Sequence, residues 1–215
     1  MNILVIGAGG VGASMASIAE TRSFFTQFVL ADISLSRAEE AIAQLDDRSK
    51  FVAEQVDARD MTAIKALIER VKADVVVNAC DPRMNEPIFN AAYEAHCNYI
   101  DMAMNLSEPH ASNPYEEVGS PLGADQLAAD QAWRDRGLLA LVGMGVEPGL
   151  SDVFARYAAD NLFDTIDEIG VRDGSNLSID GLDFAPTFSI WTTIEECLNP
   201  PIVWEKNRGL YTTDC

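Results

Sequence analysis

Three observations predict an α/β chain, with an N-terminal doubly wound parallel sheet followed by a partial α+β region. Short β-branched runs alternate with helical apolar periodicity from Asn2 to about Met144. Several of those runs, above all Val75-Val76-Val77, are apolar at successive positions, as in a strand covered on both faces. A glycine-rich turn joins the first run to the first helical pattern. With 215 residues, the chain has room for one domain of roughly 150 residues and part of a second.

The elements follow in order. Asn2–Ile6 is a buried strand, and Val11–Glu20 is a helix of small residues that can lie close to the sheet. Phe28–Asp32 is the second strand. Ser36 and Glu39 make a capping box for a helix reaching about Leu45. Phe51–Val56 is the third strand, and Asp60 caps a helix whose Met61, Ile64, Leu67, Ile68 and Val71 recur at helical spacing. Asp74–Cys80 is the fourth strand, a helix containing Pro87 in its first turn runs to His96, and Asn98–Met102 is the fifth strand. Residues 84–133 hold no Lys or Arg, and the Pro- and Gly-rich stretch Glu108–Gly123 reads as a surface loop. Ala124–Arg136 is a helix stopped by Gly137, and Leu138–Met144 is a sixth strand.

A dinucleotide-sized domain over residues 1–146 and the start of an α+β substrate domain over 147–215 are therefore expected. In the second, Ser151 and Asp152 cap a helix to about Leu162, and Glu168–Arg172 is a strand. Phe188–Leu198 is a helix, and Ile202–Glu205 with Leu210–Thr213 forms a hairpin. A lone hairpin is marginal in water, so more sheet is expected beside it, from a partner or from a longer chain.

The balance of 15 basic against 34 acidic residues gives a net charge of −19. Such a field repels polyanions, so neither nucleic acid nor an anionic membrane surface is an expected partner. No apolar run approaches a membrane span, and the N-terminus has no basic region of a signal peptide. Four cysteines without metal-finger spacing read as reduced thiols in a cytoplasmic protein, with no metal site.

The chemistry concentrates at the carboxyl ends of the strands. Gly7-Ala8-Gly9-Gly10-Val11-Gly12 is a GxGxxG between strand and helix, and Asp32 lies 20 residues beyond Gly12 at the end of the second strand. Gly7 permits the tight turn, Gly9 lets backbone amides reach a pyrophosphate, and Gly12 lets helix and strand approach. The helix N-terminus supplies positive potential for an anionic cofactor, the Rossmann arrangement. A carboxylate at Asp32 accepts from both ribose hydroxyls and repels a 2′-phosphate, which favours NAD; Arg37 is the residue that would admit NADP. Asp57 and Ala58, after the third strand, are candidates for the adenine, with a plain turn aspartate as the alternative. Asn78, Ala79 and Pro82 follow the fourth strand on the nicotinamide side. Asp101 and Glu147 reach the same rim, where two carboxylates can orient a cationic amine or exchange a proton with it. For Asp101 a loop-capping role is the alternative. Cys80 and Trp191 read first as core residues, Trp191 with a substrate wall as the alternative.

Together Gly7–Gly12, Val75–Pro82 (VVVNACDP), Asn98–Asp101 (NYID) and Gly143–Asp152 (GMGVEPGLSD) resemble the saccharopine dehydrogenase family, which spans saccharopine reductases, carboxynorspermidine dehydrogenases and lysine 6-dehydrogenases. In the last segment Glu147 stands where the family usually has Asp. The resemblance implies an NAD(P)-dependent oxidoreductase acting on a C–N bond of an amino acid or polyamine conjugate. It also implies a longer protein, and Glu147, Asp101, Ala103 and Met104 near cofactor and substrate; separately, an open sheet edge makes a homodimer the expected assembly. A non-catalytic dinucleotide-binding module, sensing or regulatory, is the alternative reading.

Overall fold

Central strands buried at nearly every position build the fold, which is taken from a computed structural model describing residues 1–172, 178–182, 194 and 197–213. The strands are β1 (Asn2–Ile6), β2 (Gln27–Asp32), β3 (Phe51–Gln55), β4 (Val75–Asn78), β5 (Asn98–Asp101) and β6 (Ala140–Leu141). The helices between them are α1 (Gly10–Glu20), α2 (Leu35–Ala43), α3 (Met61–Val71), α4 (Asn85–Glu94), α5 (Ala124–Ala128) and α6 (Asp130–Asp135). All strand pairs are parallel, in the order β3-β2-β1-β4-β5-β6. The order reverses between β1 and β4, so a crevice opens there at the carboxyl ends.

On β1, Leu4 and Ile6 join one core with Ile64, Leu67 and Ile68 of α3 and Ile88 and Phe89 of α4. Ile3 and Val5 point the other way, to a core with Ala16 of α1 and Ala38 and Ile42 of α2. This period-two division is what a strand covered on both faces requires. Aromatic rings fill the far ends, with Phe25, Phe28 and Phe51 in mutual contact under β2 and β3 and Phe89, Tyr99 and Trp133 under β5.

Asp60 caps α3 as expected, accepting from the Ala63 N–H at 3.0 Å. The capping box at Ser36 and Glu39 does not form. Ser34 is the N-cap, two residues earlier, and its own N–H donates to Asp32 Oδ1 at 3.0 Å. The helix expected over 124–136 breaks at Ala129, whose N–H is shared between the Asp125 and Gln126 carbonyls. The sixth strand is shorter than expected. Pairing ends at Ile100↔Leu141, and the Gly143 N–H turns to the Asp101 carboxylate, leaving the ladder.

Contact clustering gives two compact units, residues 1–106 with 125–150 and residues 107–124 with 151–215. The first is the parallel sheet and its helices. In the second, Glu108 and Ser120 exchange backbone hydrogen bonds across the loop, and His110 lies 3.6 Å from Glu117. That unit also carries most of α7 (Leu150–Asn161), with Val153, Phe154 and Tyr157 exposed. Its antiparallel hairpin pairs β7 (Ile202–Glu205) with β8 (Gly209–Thr212). Residues 168–172, expected as a strand, are irregular. Most of the helix expected over 188–198, with Trp191, lies outside the described residues. Among the described residues, no helix is long and apolar enough to cross a membrane.

Candidate functional site

The glycine turn is held from beneath. Gly7 has φ +110°, its N–H donates to the Ala31 carbonyl at 2.7 Å, and a Cβ there would lie 2.7 Å from the Ala79 oxygen. A Cβ on Gly12 would overlap the Gly7 carbonyl. Both glycines are therefore demanded by packing. Gly9 and Gly10 differ: a Cβ on either would meet nothing within 4 Å. They and Val11 are exposed, at the end of α1 whose first N–H groups have no intrahelical acceptor. An open cradle of backbone donors at a helix N-terminus suits a pyrophosphate.

Asp32 adjoins it. Its carboxylate is only 7% exposed and accepts from the Ala8 N–H at 2.9 Å, fixing the turn to the end of β2. Gly7, Asp32, Arg37, Asp57 and Ala58 line one crevice of about 320 Å³, together with Arg59, Cys80 and Asp81. Arg37 approaches Asp32 at 3.7 Å. Asp57 takes a bidentate contact from Arg59, at 2.7 Å for the closest pair, and those hydrogen bonds push its pKa down to about 2. The two arginines set positive charge in this crevice of a strongly acidic chain. The sequence reading passed over Arg59, although the Asp57-Ala-Arg59 spacing is an Asx turn that returns the guanidinium to the carboxylate. Burial, with the charges of Asp32 and Asp81 adding, pushes the Cys80 thiol up to about 12, and it donates to the Ile6 carbonyl. Cys80 is a packing residue.

On the other side of the reversal the predicted residues separate. Ala79 packs its backbone against Gly7, and Pro82 opens a 3₁₀ turn whose N-cap, Asp81, accepts from the Arg83 N–H. Asn78 turns inward. Its Oδ1 accepts from the Cys80 N–H at 2.9 Å, and its Nδ2 donates to Asn85 Oδ1 at 2.5 Å and reaches the Tyr99 hydroxyl at 3.5 Å. Asn85 is itself 1% exposed, and its Nδ2 has no partner among the described residues. Tyr99 is wholly buried, and burial first, then the charge of Asp101, pushes its hydroxyl far above the ordinary range.

Asp101 is 1% exposed. Its Oδ1 accepts from the N–H of Gly143 at 2.8 Å and of Met104 at 3.1 Å, and its Oδ2 accepts from Gln126 Nε2 at 2.7 Å. Met104 beside it has φ +61°, and Ala103 and Met104 are half-buried. Glu147 is exposed, in a turn closed by the Gly145 N–H on the Pro148 carbonyl at 3.0 Å. A Cβ on Gly145 would lie 2.5 Å from the Met102 oxygen, so this turn rests on the loop after β5. Gln126 escaped the sequence reading because nothing in a helical glutamine 25 residues downstream marks it as the partner of Asp101. Trp191 lies outside the described residues, and among those described no group of three or more His, Cys, Asp or Glu could hold a metal.

A parallel sheet with this strand order, a glycine cradle at its reversal and an acid at the end of β2 define a dinucleotide-binding Rossmann domain. Residues 3–141 match the saccharopine dehydrogenase NADP binding domain, and the chain belongs to that family of NAD(P)-binding oxidoreductases. It is 33% identical over 216 residues to carboxynorspermidine synthase of Vibrio cholerae serotype O1, covering 97% of this chain and 51% of the relative. Over 194 residues it is 28% identical to carboxyaminopropylagmatine dehydrogenase of Synechocystis sp., covering 90% of this chain and 46% of the relative. The chain thus spans about half the length of the curated relatives it matches. Among solved structures, apo saccharopine dehydrogenase (L-Glu forming) from Saccharomyces cerevisiae shares the fold, with a TM-score of 0.56 and 14% identity over 75% of this chain and 31% of that one.

Proposed function

We propose that the protein acts on a C–N bond of a carboxylated polyamine or related amino-acid conjugate, with NAD(P) as its redox partner. The observation that carries this is the match of nearly the whole chain to a carboxynorspermidine synthase and a carboxyaminopropylagmatine dehydrogenase, read with the cradle at the sheet reversal. A nicotinamide held there supplies or accepts hydride at the carbon bearing the nitrogen. The N–H groups after Gly9, Gly10 and Val11 receive the pyrophosphate, with Gly7 and Gly12 keeping α1 against the sheet. Asp32 receives the adenine-side ribose, Asp57 and Ala58 flank the adenine, and Arg37 with Arg59 answers a 2′-phosphate. Asn78 holds the backbone of Ala79 to Pro82 in place for the nicotinamide ribose.

Oxidation at such a carbon also removes the amine proton and leaves an imine, which water opens to an aldehyde and a free amine. Glu147, exposed at the rim, takes that proton, and Asp101 holds its loop. The absence of Lys and Arg across residues 84–133 suits a cationic substrate at this end, against Ala103 and Met104. Residues 147–215 begin the substrate domain of a cytoplasmic homodimer. The test measures NAD(P)H formation from carboxyalkyl polyamines, saccharopine and lysine. Turnover of the polyamine conjugates, reduced at least tenfold by Glu147→Gln, is expected. Turnover confined to an alcohol donor would overturn the assignment.

A further inference from the structure

The sheet reversal divides the crevice into an adenine side over β2 and β3 and a nicotinamide side over β4 and β5. Two loops form the far rim of the second side, 102–105 after β5 and 143–149 after β6. Neither is held by regular structure. One side-chain pair joins them. Asp101 takes the N–H of Met104 from the first loop and of Gly143 from the second on a single oxygen. Gln126 holds the other oxygen and, through its Oε1, the Asn105 N–H at 2.7 Å.

The arrangement is costly to build. Asp101 is a buried carboxylate, and its donors among the described residues are backbone N–H groups, an amide and the Tyr99 hydroxyl, all of them neutral. Met104, a non-glycine residue, is kept in the left-handed region beneath it, beside Gly143 at φ +68°. A Cβ on Gly143 would lie 2.9 Å from Met104 Sδ, so the loops interlock where the carboxylate pins them. Strain and a buried charge at a rim, away from the sheet's main core, mark geometry kept for a ligand.

Resting on the dinucleotide reading above, we infer that Gln126 is a positioning residue for the nicotinamide half of the cofactor. It acts through Asp101, fixing that carboxylate's rotamer so that both loops present one shape. Its effect falls on the nicotinamide half and leaves the adenine half, anchored at Gly9, Asp32 and Arg59, untouched.

The test compares NADPH with 2′-phospho-ADP-ribose, and NADH with ADP-ribose where the chain takes NAD, each fragment lacking the nicotinamide, by calorimetric titration of the whole chain. Wild type is expected to bind NADPH more tightly than the fragment. In Gln126→Leu the fragment keeps its affinity within about twofold, while NADPH affinity falls roughly tenfold toward it. The blue shift of bound NADPH fluorescence is lost as well. Gln126→Glu, nearly the same shape, sets carboxylate against carboxylate and is expected to lower NADPH affinity as Gln126→Leu does, with the fragment again unchanged. Unchanged fragment affinity reports that each variant is folded around the cradle. Equal loss of both ligands, or equal wild-type affinities, would overturn the inference alone. Failure of wild type to bind NADH, NADPH or either fragment overturns the dinucleotide reading and the inference with it.

Discussion

Replacing Gly9 with Asp separates the stability of this fold from its ligand chemistry. Gly9 is the N-cap of α1, with φ −74° and ψ −165°, a backbone any residue adopts, and a Cβ there would meet nothing within 4 Å. An aspartate is a better N-cap than glycine by a few tenths of a kcal/mol, and its charge beside the helix N-terminus adds about 0.3–1 kcal/mol. Gly9→Asp is therefore expected to raise the melting temperature by about 1–4 °C in a chain of this size. The same charge faces the pyrophosphate. At about 5 Å and an effective dielectric near 20, one charge pair repels by about 3 kcal/mol, which lowers affinity more than 100-fold. Thermal unfolding by circular dichroism and calorimetric titration with NADH and NADPH read the two effects. Wild-type affinity in Gly9→Asp would refute the cradle, and a collapsed melting transition would refute the open geometry. Gly12→Ala is the control with the opposite signature, because its Cβ overlaps the Gly7 carbonyl and costs about 1–3 kcal/mol of stability.

Three further outcomes follow from the geometry. Asp60→Ala removes the cap on the Ala63 N–H and is expected to cost about 1 kcal/mol, read as a melting temperature lower by about 2–4 °C. Alkylation of the native chain near pH 8 is expected to label Cys197, which is exposed, well before Cys80 or Cys97, whose thiols burial pushes up to about 12; mass spectrometry of the digest checks the order. The Asp57 carboxylate, with its pKa lowered from 3.8 to about 2 by Arg59, supports folding fully above about pH 4 and loses that support as pH falls toward 2. Carboxyl titration by NMR follows it, and Arg59→Ala is expected to return it toward its ordinary range.

Much of this was legible because it is periodic or stereochemically forced. Short β-branched apolar runs located β1 to β5, and GxGxxG with Asp32 located the cradle, since both are local in sequence. What escaped reading depends on contacts between distant segments. The shortening of β6 follows from the Asp101 carboxylate capturing Gly143, 42 residues away. The break at Ala129 lies in a run with no Pro or Gly to announce it. Asn78 and Asp101 stand at strand ends that a sequence reading assigns to the rim, yet their side chains turn to interior partners. The Ser36 and Glu39 pattern failed because Ser34, tied to Asp32, starts the helix first.

The guanidinium groups of Arg37 and Arg59 sit in a molecule of net charge −19. Attraction at that crevice is therefore short-ranged, while repulsion of an anionic dinucleotide extends over the whole surface. Mobile ions cancel the long-range part first, because the Debye length is about 8 Å at physiological salt. Dinucleotide capture should thus quicken as salt is added from very low ionic strength, whereas arrival of a polycation should slow. One surface charge would then meter an anionic dinucleotide and the proposed cationic substrate in opposite directions.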